Sequence, residues 1–256
     1  MVLVHELTNA EKELHTKLIR NYFSQVHNNN DISVEYLSNG AEKGVYKVKL
    51  SKGEFLAAAA ARQKARKLLD EYTILHKLYG AIPDYFPKPV AHYRDPSEED
   101  LGDLLVMELL PHLDLTKFDK HSYEGSLGFH RELAYQLGVA FAKVHAKSGY
   151  FSTEPHDGNV LVRVEERNKL EVKFCDAIQF KQGTLEEAVD SVMGYRDFRP
   201  ECFRFIIQFR KGLAQGLNEA TGVAWGDAWK RFAFLRRYND IFPSDDTLPD
   251  LKAQSV

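Results

Sequence analysis

Tyr150-Phe151-Ser152-Thr153-Glu154-Pro155-His156-Asp157-Gly158-Asn159-Val160-Leu161-Val162, followed after a polar hairpin by Leu170-Glu171-Val172-Lys173-Phe174-Cys175-Asp176-Ala177, is the most informative stretch of this 256-residue chain. Apolar alternation predicts two short strands, 159–162 and 170–174. A polar loop precedes the first strand, and an aspartate stands just beyond the second. Taken as residues alone, a Glu, an Asn and an Asp near strand ends are ordinary loop polarity. The adjacent His156-Asp157 pair is too small to make a metal site by itself.

Upstream, a helical stripe through Leu133, Leu137, Ala140, Phe141 and Val144 predicts a helix over 132–145, with Gly149 as its C-terminal glycine. Leu104 to Leu110 reads as a buried strand stopped by Pro111, and Val90 to Tyr93 as another strand after the prolines at 83, 87 and 89. Before these, Leu68, Leu69, Tyr72, Leu75, Leu78 and Tyr79 recur at helical spacing. Residues 54–58 read as a third strand, or as an early start of that helix, because the alanines at 57–61 favour helix. Residues 32–50 alternate as a hairpin around a Gly40 to Gly44 turn, and 7–27 form a leading helix stopped by Asn28-Asn29-Asn30-Asp31. After about residue 184 the pattern is helical throughout. Strands first and helices later predict an α+β fold, with a small β-rich lobe and a larger helical lobe.

Composition narrows the function classes. The chain is 44% hydrophobic and 28% charged, which fills a core and excludes disordered or collagen-like chains. Two cysteines, Cys175 and Cys202, make no disulfide framework or zinc motif, so a reducing compartment is expected. The start lacks the pattern of a secretion signal, and no apolar run approaches the roughly 18 residues of a membrane span, so the expectation is a soluble cytoplasmic protein with no membrane partner. A formal charge of −3 argues against wholesale nucleic-acid binding and leaves room for a local basic patch.

Here the chain resembles the protein-kinase-like superfamily, and within it the aminoglycoside and choline phosphotransferase type of small-molecule kinase. These families carry a loop of the form HGDxxxxN, a strand pair, and a metal-binding aspartate. The resemblance puts Asn159 on the loop asparagine, Glu154 on the catalytic aspartate, Ser152 on the loop histidine and Asp176 on the metal-binding aspartate. It implies a bilobal fold, ATP and Mg²⁺ as cofactors, Asn159 and Asp176 as hard oxygen ligands, and Glu154 as the group that accepts the acceptor's proton. It further implies that Glu71 pairs with a lysine holding the nucleotide phosphates. The 108–110 segment becomes a hinge: backbone groups after Glu108, out to Leu110, would bond adenine, and Val106 or Met107 would pack beside the ring. The lobes would then span 1–107 and 111–256.

Three departures matter. The third strand, Phe55-Leu56-Ala57-Ala58-Ala59-Ala60, contains no lysine in any register. Aligning Val45-Tyr46-Lys47 with the valine after a glycine-rich loop puts Lys43 where with-no-lysine protein kinases carry their substitute, whereas Arg62 and Lys64 are further possible cations. Only Gly40 and Gly44 remain of the phosphate-cradling glycines. Glu154 is one methylene longer than aspartate, a displacement of about 1 Å that costs on the order of 10²-fold in rate unless the geometry has readjusted. Asp176 is followed by Ala177-Ile178 rather than Phe-Gly, and an Ala-Pro-Glu motif is absent, which favours a small-molecule or RNA-modifying phosphotransferase over a regulated protein kinase.

Between Arg196 and Arg237 nine Lys/Arg face four acids, +5 in a chain of −3, with eight aromatics interleaved and Tyr195 just before them. Trp225, Trp229, Phe232 and Leu235 follow helical spacing and read as core, leaving the cations as solvated surface. The contrast between lobes would still attract an acidic acceptor. The two readings that stand are an ATP- and Mg²⁺-dependent phosphotransferase acting on a small-molecule or other hydroxyl, and a pseudokinase that binds a nucleotide or a partner without catalysis. A weaker third is nucleotidyl transfer from the same pocket.

Overall fold

The computed structural model describes residues 7–27, 31–39, 43–60, 65–94, 102–114, 127–154, 157–164, 170–194 and 206–223. Helix α1, Asn9–His27, starts at a capping box: the Glu11 N–H donates to Thr8 Oγ1 (3.2 Å) while the Thr8 N–H donates to Glu11 Oε2 (2.7 Å). Three antiparallel strands follow, β1 Ser33–Asn39, β2 Gly44–Leu50 and β3 Gly53–Ala60. After helix α2, Ala65–Ala81, strands β4 Pro89–Arg94 and β5 Asp103–Glu108 complete a five-stranded sheet in the order β1-β2-β3-β5-β4.

The alanines at 57–60 are strand, not helix. Their intrinsic preference loses because β3 is central, paired with both β2 and β5, and each face of it is covered. Ala57 and Ala59 pack with Tyr46, Val48, Leu104 and Val106 under Leu18, Ile19, Tyr22 and Phe23 of α1. Ala58 and Ala60 turn the other way, with Leu105 and Met107, toward Leu68, Leu75 and Leu78 of α2.

The described residues that follow are mainly helical: α3 Leu127–Ser148, α4 Leu185–Gly194 and α5 Ile206–Thr221. Gly149 closes α3 with φ +70° and its N–H on the His145 carbonyl (2.7 Å), the left-handed C-terminal position that glycine accepts without strain. Short strands are set into this part: β6 Leu113–Asp114, β8 Val160–Val164 and β9 Leu170–Phe174 form one sheet, and β7 Tyr150–Ser152 pairs with β10 Phe180–Gln182. The apolar face of α2 and the inner face of the sheet share one continuous core with α3, α5, β8 and β9, in which Phe86, Phe141, Phe174 and Phe180 form a contiguous ring cluster. The architecture is α+β, with a small β-rich lobe joined to a larger helical one. Trp225, Trp229, Phe232 and Leu235 lie outside the described residues.

Helices α3 and α5 touch backbone to backbone. A methyl group on Gly212 would lie 2.0 Å from the Tyr135 carbonyl oxygen, and one on Gly138 2.2 Å from that of Phe209. Only a shift of a whole helix relieves such a clash, so Gly212→Ala is expected to cost about 1–3 kcal/mol. At roughly 2–4 °C per kcal/mol for a domain of this size, Tm should fall by several degrees. A calorimetric scan showing an unchanged Tm would mean that the two helices separate freely.

Candidate functional site

Leu68, Glu71, Leu75 and Leu78 form one stripe of α2 at helical spacing, and the stripe is buried. Glu71 is therefore a carboxylate only 2% exposed among leucines. Such a charge persists only with a partner. The partner is Lys43, whose Nζ lies 2.7 and 2.6 Å from the two Glu71 carboxylate oxygens and 3.3 Å from Asp176 Oδ1.

Strand alternation explains why this lysine reaches the site. Tyr46 and Val48 face α1, so residues of opposite parity in β2, together with Lys43 just before it, face the inner side. There the inner residues of β3 are Leu56, Ala58 and Ala60, none of them a lysine. Arg62 and Lys64, the other possible cations, lie outside the described residues, as does Gly40. Gly44 opens β2, and packing accounts for its missing side chain: a Cβ would meet Leu7 Cδ1 at 2.8 Å, Tyr46 Cε2 at 2.8 Å and His15 Nδ1 at 3.0 Å.

Asp176 is held at the end of β9. The turn after it, Ala177–Gln179, packs on α2, which brings Asp176 to Glu71 and Lys43. Gln179 Nε2 donates to Asp176 Oδ2 (3.4 Å), and the Gln179 carbonyl accepts from both the N–H (2.7 Å) and Oγ1 (2.9 Å) of Thr153. With the β7–β10 pairing of Ser152 to Phe180, this ties the 152–154 loop to the aspartate turn. Ser152 is 3% exposed and its carbonyl accepts from Ser191 Oγ (2.7 Å). Asn159 ends a 3-10 turn, Asp157–Asn159, and its Nδ2 donates to the Glu154 carbonyl at 3.0 Å. The Glu154 side chain is exposed. Thus Lys43, Glu71, Asp176, Asn159 and the Glu154 backbone are linked in one neighbourhood.

The strand leading from the sheet to the helical part has two faces. Val106 turns toward α1 and Met107 toward the inner core, so of the two only Met107 lies on the same side as Lys43. Glu108 is exposed; its N–H donates to the Lys88 carbonyl (2.9 Å) and its Oε2 accepts from the Lys88 N–H (3.2 Å). Leu110 follows, half-buried.

One ammonium shared by two carboxylates sets the electrostatics. Burial alone would lower the Lys43 pKa, but Glu71 and Asp176 together raise it above its ordinary value, so Lys43 stays charged. Burial pushes Glu71 up to about 7; Lys43 opposes that rise and the negative charge of Asp176 adds to it. The site holds more negative charge than Lys43 neutralises, which is the condition for recruiting a further cation.

No protein-family model matches the chain, and no curated protein matches its sequence. Its structure is similar to a solved one, WaaP in complex with acyl carrier protein, with a TM-score of 0.51 over 92% of this chain and 96% of that one, at 14% identity. The fold is protein-kinase-like. At that identity the likeness speaks for the kinase-like fold alone and leaves the aminoglycoside type of subfamily open. In this kinase-like chain the residues that sequence reasoning missed are Thr153, Gln179 and Ser191, which fix the loop and the aspartate turn. Strands of three residues such as β7 and β10 have too few positions to show a period, so nothing in the sequence announced that pairing.

Two measurements test these electrostatics. Lys43→Met leaves Glu71 without its cation and should cost about 3 kcal/mol, the low end for a broken buried pair, because Lys43 keeps 19% exposure. The double change Lys43→Met with Glu71→Leu should recover most of that loss in urea denaturation, whereas equal stability of wild type and Lys43→Met would show that the pair contributes nothing. The second concerns pH. The folded pKa of Glu71, about 7, lies above its unfolded value of 4.5, so the folded state binds the extra proton between these limits. The contribution of this group to stability is thus greatest below pH 4.5 and declines as pH rises toward 7. Glu71→Gln should flatten that part of the stability profile, and an unaltered slope would contradict the assignment.

Proposed function

We propose that the chain is an ATP- and Mg²⁺-dependent phosphotransferase, with the sheet-bearing lobe of residues 1–107 covering the nucleotide, 108–110 as hinge, and 111–256 carrying the loop and the acceptor surface. The observation that carries this reading is the Lys43 ammonium spanning Glu71 and Asp176 beside Asn159. An ammonium fixed by a buried carboxylate is a preorganised cation for phosphate oxygens, and it costs no reorganisation when the phosphates arrive.

The residues present fit a magnesium ion. With Nδ2 committed to the Glu154 carbonyl, Asn159 keeps Oδ1 as a donor, and Asp176 adds a carboxylate; Mg²⁺ takes one or two such protein oxygens and fills its remaining positions with water and phosphate. When bound, it neutralises phosphate charge. The side chains supply the rest. Lys43 holds the phosphates, Glu71 orients Lys43, and the half-buried Leu110 and the buried Met107 belong to the adenine side, with Glu108 setting the strand exit between them. Glu154 orients an acceptor hydroxyl: its oxygen forms a bond to the terminal phosphorus, the bond from that phosphorus to the bridging oxygen breaks, ADP leaves, and the hydroxyl proton passes to the Glu154 carboxylate.

The acceptor is read as a small molecule or another acidic group. Support comes from the +5 balance between Arg196 and Arg237, of which 206–223, with Arg210 and Lys211 on α5, are among the described residues. Among the described residues no helix is long and apolar enough to cross a membrane. The compartment is read as a reducing, ATP-containing one such as the cytoplasm, from a composition with only two cysteines.

Titration calorimetry with ATP and Mg²⁺ tests the proposal. Wild type should bind; Asp176→Ala should lose the metal-dependent part of the affinity; Glu154→Ala should bind normally, with transfer or slow ATP hydrolysis reduced by about 10²–10⁴-fold. Absence of binding to wild type would sink the reading. Binding with no turnover of ATP would assign the chain to the pseudokinase class instead.

A further inference from the structure

Among the residues that α1 buries, four are apolar or aromatic, Leu18, Ile19, Tyr22 and Phe23, and the fifth is His15, 3% exposed. A buried imidazole on an otherwise hydrophobic stripe requires a partner. His15 Nδ1 lies 3.0 Å from Tyr46 Oη, and the rings meet edge to face at 87°. Tyr46 is itself only 1% exposed, on the outer face of β2. Burial lowers the His15 pKa, against the opposing charge of Glu11, and this favours a neutral ring; a neutral imidazole and a phenol hydroxyl share this hydrogen bond in either direction, according to the tautomer.

This pair sits directly behind the residue that follows Lys43. The position of a Cβ on Gly44 is 3.0 Å from His15 Nδ1, so the imidazole rests on the Gly44 backbone with no side chain between. Gly44 pairs with Asn39 on one side and Ala59 on the other, and Lys43 leaves the sheet at once beyond it, on the opposite face. A lysine on a central strand is held by ladders on both sides of its own position. Lys43 instead stands one residue outside its strand, so the approach of its Cα is set through Gly44, which is held within the sheet by its two ladder partners and across the sheet by its seat against His15 of α1.

We propose that His15, acting through its hydrogen bond to Tyr46 and its contact on Gly44, is a positioning residue for Lys43: helix α1 sets, from the outer face of the sheet, the reach of the lysine to Glu71 and Asp176 on the inner face. The proposal gives the leading helix a part in the phosphotransferase site proposed above and rests on that reading for its consequence in catalysis. The contact itself is a property of the nucleotide-free protein and is tested there.

The experiment is trace acylation of the folded protein with acetic anhydride, read by peptide mass spectrometry as the rate at Lys43 relative to Lys143 and Lys173, which lie in the helical part. Shielded between two carboxylates, Lys43 should react slowly in wild type. His15→Ala and Tyr46→Phe should each raise its relative rate by about tenfold, the change that 1.4 kcal/mol of lost positioning produces. His15→Asn, which keeps an acceptor oxygen near the place of Nδ1, should restore the slow rate. If His15→Ala does not fold, Tyr46→Phe removes only a hydroxyl and still decides the matter. An unchanged relative rate at Lys43, or a rise shared equally by all three lysines, would overturn the proposal and leave His15 as a core residue only. A wild type that fails to bind ATP with Mg²⁺ would remove the phosphotransferase reading without altering the acylation result.

Discussion

The Lys43 ammonium, shared between Glu71 of α2 and Asp176 beyond β9, is the interaction on which the remainder of the site depends. Three separate segments deliver these groups, and each is fixed by packing rather than by the ion pair itself. Glu71 is held among Leu68, Leu75 and Leu78 by the helical period, Asp176 by the turn that packs on α2, and Lys43 by the start of β2. Glu71 without a cation would carry a large desolvation penalty, so the arrangement of β2 against α2 has few alternatives. Burial gives Glu71 its upward shift, and the negative charge of Asp176, sharing the same ammonium, adds to it.

Supplying the cation from the strand next to β3 has structural consequences. A lysine on β3 would lie within a central strand, whereas β3 here presents Ala58 and Ala60 to the inner face and Ala57 and Ala59 to the outer. The same small residues serve two needs: α1 packs on one side, and the leucines of α2 on the other. That close approach of α1 also explains Gly44, where any side chain would collide with Leu7, Tyr46 and His15. The leading helix, the alanine strand and the relocated lysine are therefore parts of one packing solution.

Much of this was legible beforehand. The hairpin, the three long helices before residue 150 and the Gly149 cap all follow from period and turn chemistry, and the structure contains them. Asn159 and Asp176 were singled out by the resemblance to the kinase-like families, since as residues alone they read as ordinary loop polarity. Glu71 was harder, because a glutamate on a helix is ordinarily solvated; the local signal was its position on the stripe of Leu68, Leu75 and Leu78, where an apolar residue is the rule. Other features left no local trace. The alanine run pointed to helix until its neighbours on both sides required a strand, and the β7–β10 pair, with Thr153 on the Gln179 carbonyl, joins segments 26 residues apart through strands too short to show a pattern.

By itself the sequence determined which residue types were on offer: a lysine-free third strand, Lys43 beside Gly44, and oxygen donors at 154, 159 and 176. It determined the order of elements too, since hydrophobic period and turn residues act over a few positions and are read locally. The reach of Lys43 was decided only by the tertiary structure, because reach is a distance between side chains on separate segments: its ammonium lies within 2.7 Å of both Glu71 carboxylate oxygens. Burial decided the rest. A carboxylate in water is indifferent to its neighbours, but among leucines it selects its partner, and that environment exists only once α2, the sheet and the helical lobe have packed together.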